Sequence, residues 1–330
     1  MTTTPTIGPD QSTRPGRSSR PDRSSRPDQR RRRRPAVIDG MPTPGWPERV
    51  VKGVFLTIIC ALVVLPFIGV ISTSLATPEE VNRAGGFVMF PTGGIDLTAY
   101  ESIFAGGTVT QALLVSGFIT AVGTAISLVL TCTLGWALSR RGTIGNKALL
   151  MLVLISLLFN PGLIPTYLVV QQFGLLDSLW SVIVPTCVSA FNVIVVRSFF
   201  TGLPAEILDS ARIDGASEWK MFRHIGIPLS KAVIAVIGLF YGVGYWNSFF
   251  NALLYINDAS KWPLQLVLRT YVVNGVELGG QDLGLGNEAL PPQTTIQMAI
   301  LMISIIPILC VYPFIQRHFA KGVLTGAVKG

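Results

Sequence analysis

The side chains that could do chemistry are few and scattered. His224 and His318 are the only histidines, far apart in sequence and without an H-E-x-x-H pattern or a cysteine partner, so no metal or acid–base constellation forms around them. The four cysteines, Cys60, Cys132, Cys187 and Cys310, each fall in a different apolar stretch with no CxxC spacing, and read as buried apolar side chains. There is no G-x-x-x-x-G-K-[ST] phosphate cradle and no Gly-Lys dipeptide. The chain is therefore expected to be no enzyme, with no cofactor, metal or ATPase site of its own. What remains is polar and uncharged. Asn247 and Asn251 are four apart on an apolar, helix-length stretch, so both would project from one face, with Gly244 and Trp246 nearby. Amides and an indole suit the hydroxyls and apolar ring faces of a sugar pathway. The same residues also serve as interhelical glue, and Gly238-x-x-x-Gly242 on that stretch is a close-packing motif. Asn160 and Asn192 face the same two readings.

The elements that must position these groups are apolar spans. Hydrophobic residues make up 49% of 330 positions and charged residues 13%, whereas soluble domains carry about a quarter charged residues. Runs near the roughly 20 residues needed to cross a bilayer occur at Val54 to Ser74, Val109 to Leu138, Ala148 to Val170, Leu179 to Val196, Ala232 to Ile256 and Gln293 to Phe314. None of the six contains an ionisable residue, which opposes a carrier coupled to protons through its own carboxylates. Pro66, Pro161, Pro165, Pro185 and Pro307 fall inside these spans, either as kinks or as ordinary membrane prolines.

Cations set the orientation, because Lys and Arg are retained on the cytoplasmic side. The tail before Val54, the segment Ser139 to Lys147, the segment Arg197 to Lys231 and the end after Phe314 hold 23 of the 26 Lys and Arg; Arg83, Lys261 and Arg269 occupy the alternate loops. Both termini are expected in the cytoplasm. The net charge of +8 is concentrated in residues 1–50, where Pro, Ser and Arg dominate and SSRPDR and SSRPDQ run into Arg30 to Arg34. Such composition cannot bury a core, and a disordered tail is expected there, in contact with solvent or with anionic lipid. No aromatic residue is interleaved with its arginines, so nucleic acid is not an expected partner.

The segment 201–231 is neither a short turn nor a polar linker. Ala205 to Ile213 supports one helix, Asp214-Gly215 a sharp turn, and Ala216 to Ile225 a second helix ending before Pro228. Ile207, Ala211, Trp219, Phe222 and Ile225 give the pair apolar surface suited to a cleft on a partner.

At these residues the chain resembles the permease subunits of bacterial binding-protein-dependent ABC importers, whose signature is E-A-A, three residues, G, nine residues, I-x-L-P. Here it reads Asp209-Ser210-Ala211, three residues, Gly215, nine residues, Ile225-Gly226-Ile227-Pro228. Asp stands for Glu, Ser for Ala and Ile for Leu, with the spacing intact. Arg212-Ile213-Asp214-Gly215-Ala216-Ser217, Tyr245-Trp246-Asn247-Ser248-Phe249 and the ending YPFIQRHFAKGVLTGAVKG are similar to the sugar-importing branch, closest to permeases for aldouronates and maltose-like sugars. The resemblance covers most of Phe55 to Gly330. It implies an all-α integral membrane protein of six transmembrane helices, the type I ABC importer permease fold, with a permease domain over 51–330 and a cytoplasmic coupling helix.

The resemblance further implies that the loop seats in a groove of a separate ATPase dimer, which binds ATP and Mg. Its residues would be Glu206, Asp209, Ala211, Arg212, Asp214, Gly215, Ala216, Phe222, Ile225 and Pro228. Gly215 would make the turn, Ala211 and Ala216 would permit close approach, and Asp209 would meet a basic ATPase residue. Trp246, Asn247 and Asn251 would lie on the substrate pathway. A second homologous permease, an extracellular solute-binding protein and membrane lipid complete the implied partners, in the bacterial cytoplasmic membrane. The external segment 257–292 would reach the binding protein or serve as a connector, and the tail 316–330 would contact the ATPase. The competing readings are an ABC permease for a non-sugar solute and, further off, a secondary carrier or channel.

Overall fold

The structure, a computed structural model, describes residues 37–38, 41–42, 45–105, 107–140, 142, 144–283 and 291–327. Of the tail expected over 1–50, residues 1–36, 39–40 and 43–44 lie outside the described residues. At its end Val37–Ile38 (β1) and Met41–Pro42 (β2) pair antiparallel, Val37 opposite Pro42. Helix α1 (Trp46–Ser74) begins inside the segment expected as tail. Pro47 fits its first turn, where no backbone donor is needed, and Lys52 pairs with Glu48 one turn back at 2.6 Å. The chain divides into two compact units, residues 1–59 and 60–330.

After α1 come the short α2 (Pro78–Arg83) and α3 (Thr98–Phe104), then the long α4 (Thr108–Ser139). Next are α5 (Asn146–Leu158), α6 (Leu163–Gln172), α7 (Trp180–Ile183) and α8 (Ala190–Thr201). The third group is α9 (Ala205–Ile213), α10 (Glu218–Met221), α11 (Ile227–Leu229), α12 (Lys231–Trp246) and α13 (Phe250–Tyr255). The chain closes with α14 (Leu264–Leu268), α15 (Gly280–Leu283) and α16 (Gln293–Ala327). Among the described residues α1, α4 and Gln293–Pro313 of α16 are long and apolar enough to cross a membrane. Two bent pairs, Trp180–Thr186 with Ala190–Thr201 at 50° and Glu218–Leu229 with Lys231–Trp246 at 82°, bring the number to five if each is one span.

Three of the spans expected to be continuous are therefore broken. In Ala148 to Val170 the helix stops at Leu158 because Pro161 disfavours helical backbone at the residue before it, and Gly162 takes φ +83°. Asn160 Oδ1 accepts the Gly162 N–H at 2.9 Å, so this exposed asparagine builds the turn. In Leu179 to Val196 a short 3₁₀ turn at Val184–Thr186, carrying Pro185, separates α7 from α8. In Ala232 to Ile256 the helix ends at Trp246 and restarts at Phe250.

The main core is α4 packed between α8 and α12. Small residues let the backbones close: a methyl on Gly123 would sit 2.8 Å from the Tyr245 ring, and one on Gly135 2.9 Å from Val196 Cγ1. Polar pairs register the helices. Tyr245 Oη meets Ser127 Oγ at 2.9 Å, and Tyr241 Oη meets Thr131 Oγ1 at 2.7 Å. A second cluster joins α3, the start of α4, α14 and α16 through Ile103, Val109, Leu264, Val267, Ile296 and Ile300. Within the segment 257–292, α14 is thus built into the core, with the Leu264 amide donating to Ser116 Oγ at 2.7 Å.

Between α1 and α3, Glu80 Oε1 accepts from the Thr92 hydroxyl, the Thr92 amide and the Gly93 amide at 2.5, 2.5 and 2.7 Å. The Thr92 donors, then Gly93 and the Arg83 charge, hold this carboxyl below its ordinary range. A depressed carboxylate stabilises the fold above its unfolded-state pKa and loses that contribution as pH falls through the folded value. Thermal unfolding in detergent between pH 7 and pH 3 should show Glu80→Gln less stable than the wild type at neutral pH, with the gap closing at the acid end. A gap independent of pH would contradict the assignment.

Candidate functional site

The segment 201–231 folds as two helices at a sharp corner. Helix α9 has the bounds read from sequence, Ala205–Ile213. It ends in a Schellman turn: Gly215 N–H donates to Arg212 O at 3.0 Å, and Ala216 N–H donates to Ala211 O at 2.9 Å. This closure requires left-handed backbone at Gly215, whose φ is +77°. Ala211 and Ala216, whose own carbonyl and amide close the turn, are half-buried and carry no bulk to hold the corner open.

The second helix differs from its expected course. Ser217 caps α10 by accepting the Lys220 N–H at 3.4 Å, and the helix then widens into a π turn at Phe222–Gly226 before α11. Pro228 does not stop it. The Ile227 N–H bonds to Phe222 O, five residues back, and this wider turn carries the helical path past the ring of Pro228.

Burial divides the apolar residues of the loop into two sets. Leu208, Met221 and Phe222 face inward, Phe222 only 4% exposed, whereas Ile213 is 87% and Trp219 63% exposed. Ile225 is half-buried against the core. Phe222 sits in an aromatic cluster with Trp136 of α4 at 5.6 Å, Phe200 of α8 at 6.2 Å and Trp219 at 5.3 Å between ring centroids. Gly226 lets α4 reach this corner, since a methyl there would lie 2.5 Å from Trp136 Cζ3. Arg140 lies 3.7 Å over the Trp136 ring; burial lowers its pKa while the Glu218 carboxylate opposes the shift.

Three charges of the loop pair among themselves. Asp209 Oδ1 accepts from Arg212 at 2.9 Å, and Arg212 reaches Glu218 at 3.4 Å. These pairs are exposed, worth about 0 to 1 kcal/mol each, and a partner's charge can exchange with them at little cost. Glu206 lies in the first turn of α9 and Asp214 caps its end. The ten residues expected in the loop thus form one corner, and Phe222 is its anchor to the bundle.

A second feature is an open cleft of about 360 Å³ at the breaks before α8 and after α12. Thr186, Ser189, Asn192, Ser248 and Asn251 supply hydroxyls and amides, and Phe240, Tyr241 and Tyr245 supply ring surface. The Ser189 amide donates to Tyr241 Oη at 2.9 Å, and Tyr245 Oη donates to Ile183 O at 3.2 Å, which ties both walls to the helix breaks. Asn251, one of the three expected pathway residues, lines it. Asn247 and Asn251 do not share one helix face, because the break at 247–249 separates them; Asn247 donates its amide to Val243 O at 2.9 Å and does not line the cleft. Trp246 is 7% exposed, and its indole N–H donates to Ser304 O of α16 at 3.0 Å. It packs against α16 and does not line the cleft. Tyr241 and Tyr245 were not anticipated from the sequence, although their spacing of four matches that of Ser127 and Thr131.

Residues 130–325 match the family described as the binding-protein-dependent transport system inner membrane component. A polygalacturonan/rhamnogalacturonan transport system permease protein, YtcP, of Bacillus subtilis (strain 168) is 46% identical over 276 residues, covering 84% of this chain and 96% of that protein. An arabinooligosaccharides transport system permease protein, AraQ, of Halalkalibacterium halodurans is 29% identical over 282 residues, 82% of this chain and 93% of that one. Among solved structures, a chain of a bacterial ABC transporter involved in the import of the acidic polysaccharide alginate superposes with a TM-score of 0.77 at 28% identity, over 84% of this chain and all of that one. The mostly helical bundle, the corner at Gly215 and these likenesses converge: the chain belongs to the inner-membrane components of binding-protein-dependent transport systems.

Proposed function

We propose that the chain is the permease subunit of an ATP-driven importer that carries an oligosaccharide across the cytoplasmic membrane, and that the corner α9–α11 is its lever. The observation that carries this is the division of the loop into an anchored inner face and an exposed outer face. Ile213 and Trp219 are free to enter a partner, while Phe222 fixes the same element to α4 and α8. A force applied outside therefore acts on α8, whose Asn192 lines the cleft, and on α4, which packs between α8 and α12. Rigid-body displacement across a bistable interface is the usual way such coupling is transmitted.

In this reading a separate ATPase dimer binds ATP and Mg, and its closure moves the lever. A second permease completes the pathway, and an extracellular binding protein delivers the sugar. Both termini face the cytoplasm, supported by the asymmetry of Lys and Arg between loops. Carbohydrate cargo is supported by the named cargoes of the relatives, which include polygalacturonan and arabinooligosaccharides. The uncharged polar lining of the cleft suits sugar hydroxyls.

Purification of the tagged protein in detergent should bring down an ATPase and a second permease. The ATP hydrolysis of that complex should rise several-fold with an oligosaccharide-loaded binding protein and not with the empty one. Recovery of the chain without any nucleotide-hydrolysing partner, together with uptake that needs no ATP, would favour a carrier instead.

A further inference from the structure

We propose that Arg269 recognises the carboxylate of an acidic oligosaccharide at the cleft, which makes uronate-bearing sugars the cargo class; this rests on the importer reading above. Three cations lie on the loops opposite the coupling loop, namely Arg83, Lys261 and Arg269. Lys261 is occupied, since it donates to Asp177 O at 2.9 Å and pairs with Asp258 at 3.3 Å, and Arg83 ends α2, the short helix that also carries Glu80. Arg269 has no ion pair among the described residues. Its exposed guanidinium rests 5.0 Å over the ring of Phe249.

That resting place adjoins the cleft through the chain, although neither the Phe249 ring nor the Arg269 guanidinium is among the groups that line it. Phe249 lies in the break between α12 and α13, directly after Ser248 and two residues before Asn251, both of which line the cavity. Arg269 itself opens the π turn Arg269–Val273 that follows α14, a kind of turn frequent at functional positions. The cleft has hydroxyls and amides but no charged side chain. It can satisfy sugar hydroxyls, whereas a carboxylate drawn from water into it needs a counter-charge. A guanidinium offers two parallel donors to a carboxylate, a stronger partner than an aromatic face at an exposed position. The Phe249 ring therefore stations the cation beside the sugar path, and an arriving carboxylate displaces it from the ring. Lipid phosphate has related oxyanion chemistry, and the test separates the two.

The assembled transporter is reconstituted with ATP and a saturating amount of loaded binding protein, in phosphatidylcholine vesicles with and without phosphatidylglycerol. The probes are short oligogalacturonides and their carboxyl-reduced counterparts. Arg269→Gln should slow uptake of the acidic form about tenfold, roughly what one lost charge-assisted pair removes, and leave the reduced form unchanged. Arg269→Lys should recover part of the rate. Equal loss on both sugars would overturn the proposal in favour of a structural role. Loss that follows phosphatidylglycerol whatever the sugar would overturn it in favour of lipid anchoring, and no loss would overturn it outright. If the wild type moves only the reduced sugar with ATP, this proposal falls and the importer reading stands. If neither sugar moves and ATP hydrolysis does not respond to any loaded binding protein, both fall.

Discussion

Gly215→Pro should bring ATP-dependent uptake to background, a fall of at least about 100-fold, with the protein still inserted in the membrane at normal abundance. Proline is confined to φ near −65°, and Gly215 stands at +77°. The substitution also removes the N–H that closes the turn on Arg212 O. Both losses fall on the corner that aims α10 relative to α9, so Ile213 and Trp219 would no longer form one surface. Gly215→Asn, which tolerates left-handed backbone, should retain uptake within about threefold, and Gly215→Val should lie between. Counting transport in reconstituted vesicles and protein in the membrane fraction gives the two readouts. Normal uptake by the proline variant would remove the lever from the mechanism.

Phe222→Ala should uncouple the same lever from the bundle. Truncating a buried phenylalanine costs about 3 to 5 kcal/mol, and this ring touches Trp136, Phe200 and Trp219 in one cluster. The melting temperature of the purified protein should drop by several degrees. ATP hydrolysis by the assembled complex should persist while its stimulation by loaded binding protein disappears, because the force no longer reaches α4. Phe222→Leu, which keeps most of the buried volume, should restore much of both. Ile213→Ala, at a position 87% exposed, should leave the melting temperature unchanged. A variant of Phe222 with full stability and full stimulation would show that the loop is held some other way.

The corner at Gly215 was legible in the sequence because its information is local. The order Ala205 to Ile213, Asp214-Gly215 and a second short helix encodes a helix, a left-handed residue and a restart, and each depends on neighbours a few residues away. The C-terminal end of that corner was less legible. Pro228 read as a stop, but whether a proline halts a helix depends on the hydrogen-bond register around it, and the π turn at Phe222–Gly226 shifted that register. The choice of Phe222 over Trp219 as the buried ring could not be read from spacing, since both are apolar and three apart. Which of them faces inward is set by where Trp136 and Phe200 arrive from two distant helices.

The cleft shows the same limit more strongly. Asn247 and Asn251 are four apart, and only an unbroken helix would turn that spacing into a shared face. The helix ends at Trp246, and one asparagine satisfies its own backbone while the other lines the cavity with Asn192 and Ser189 from the α8 side.

What the sequence by itself determined is the apolar, helical, membrane-spanning character of the chain and the position and turn of the corner at Gly215. Hydropathy and backbone preference act within a single segment. The tertiary structure alone decided which aromatic ring anchors the corner and which polar groups meet at the cleft. These depend on residues distant in sequence, such as Trp136 with Phe222 and Ser189 with Tyr241, being brought within a few ångströms, and segment composition carries no record of that distance.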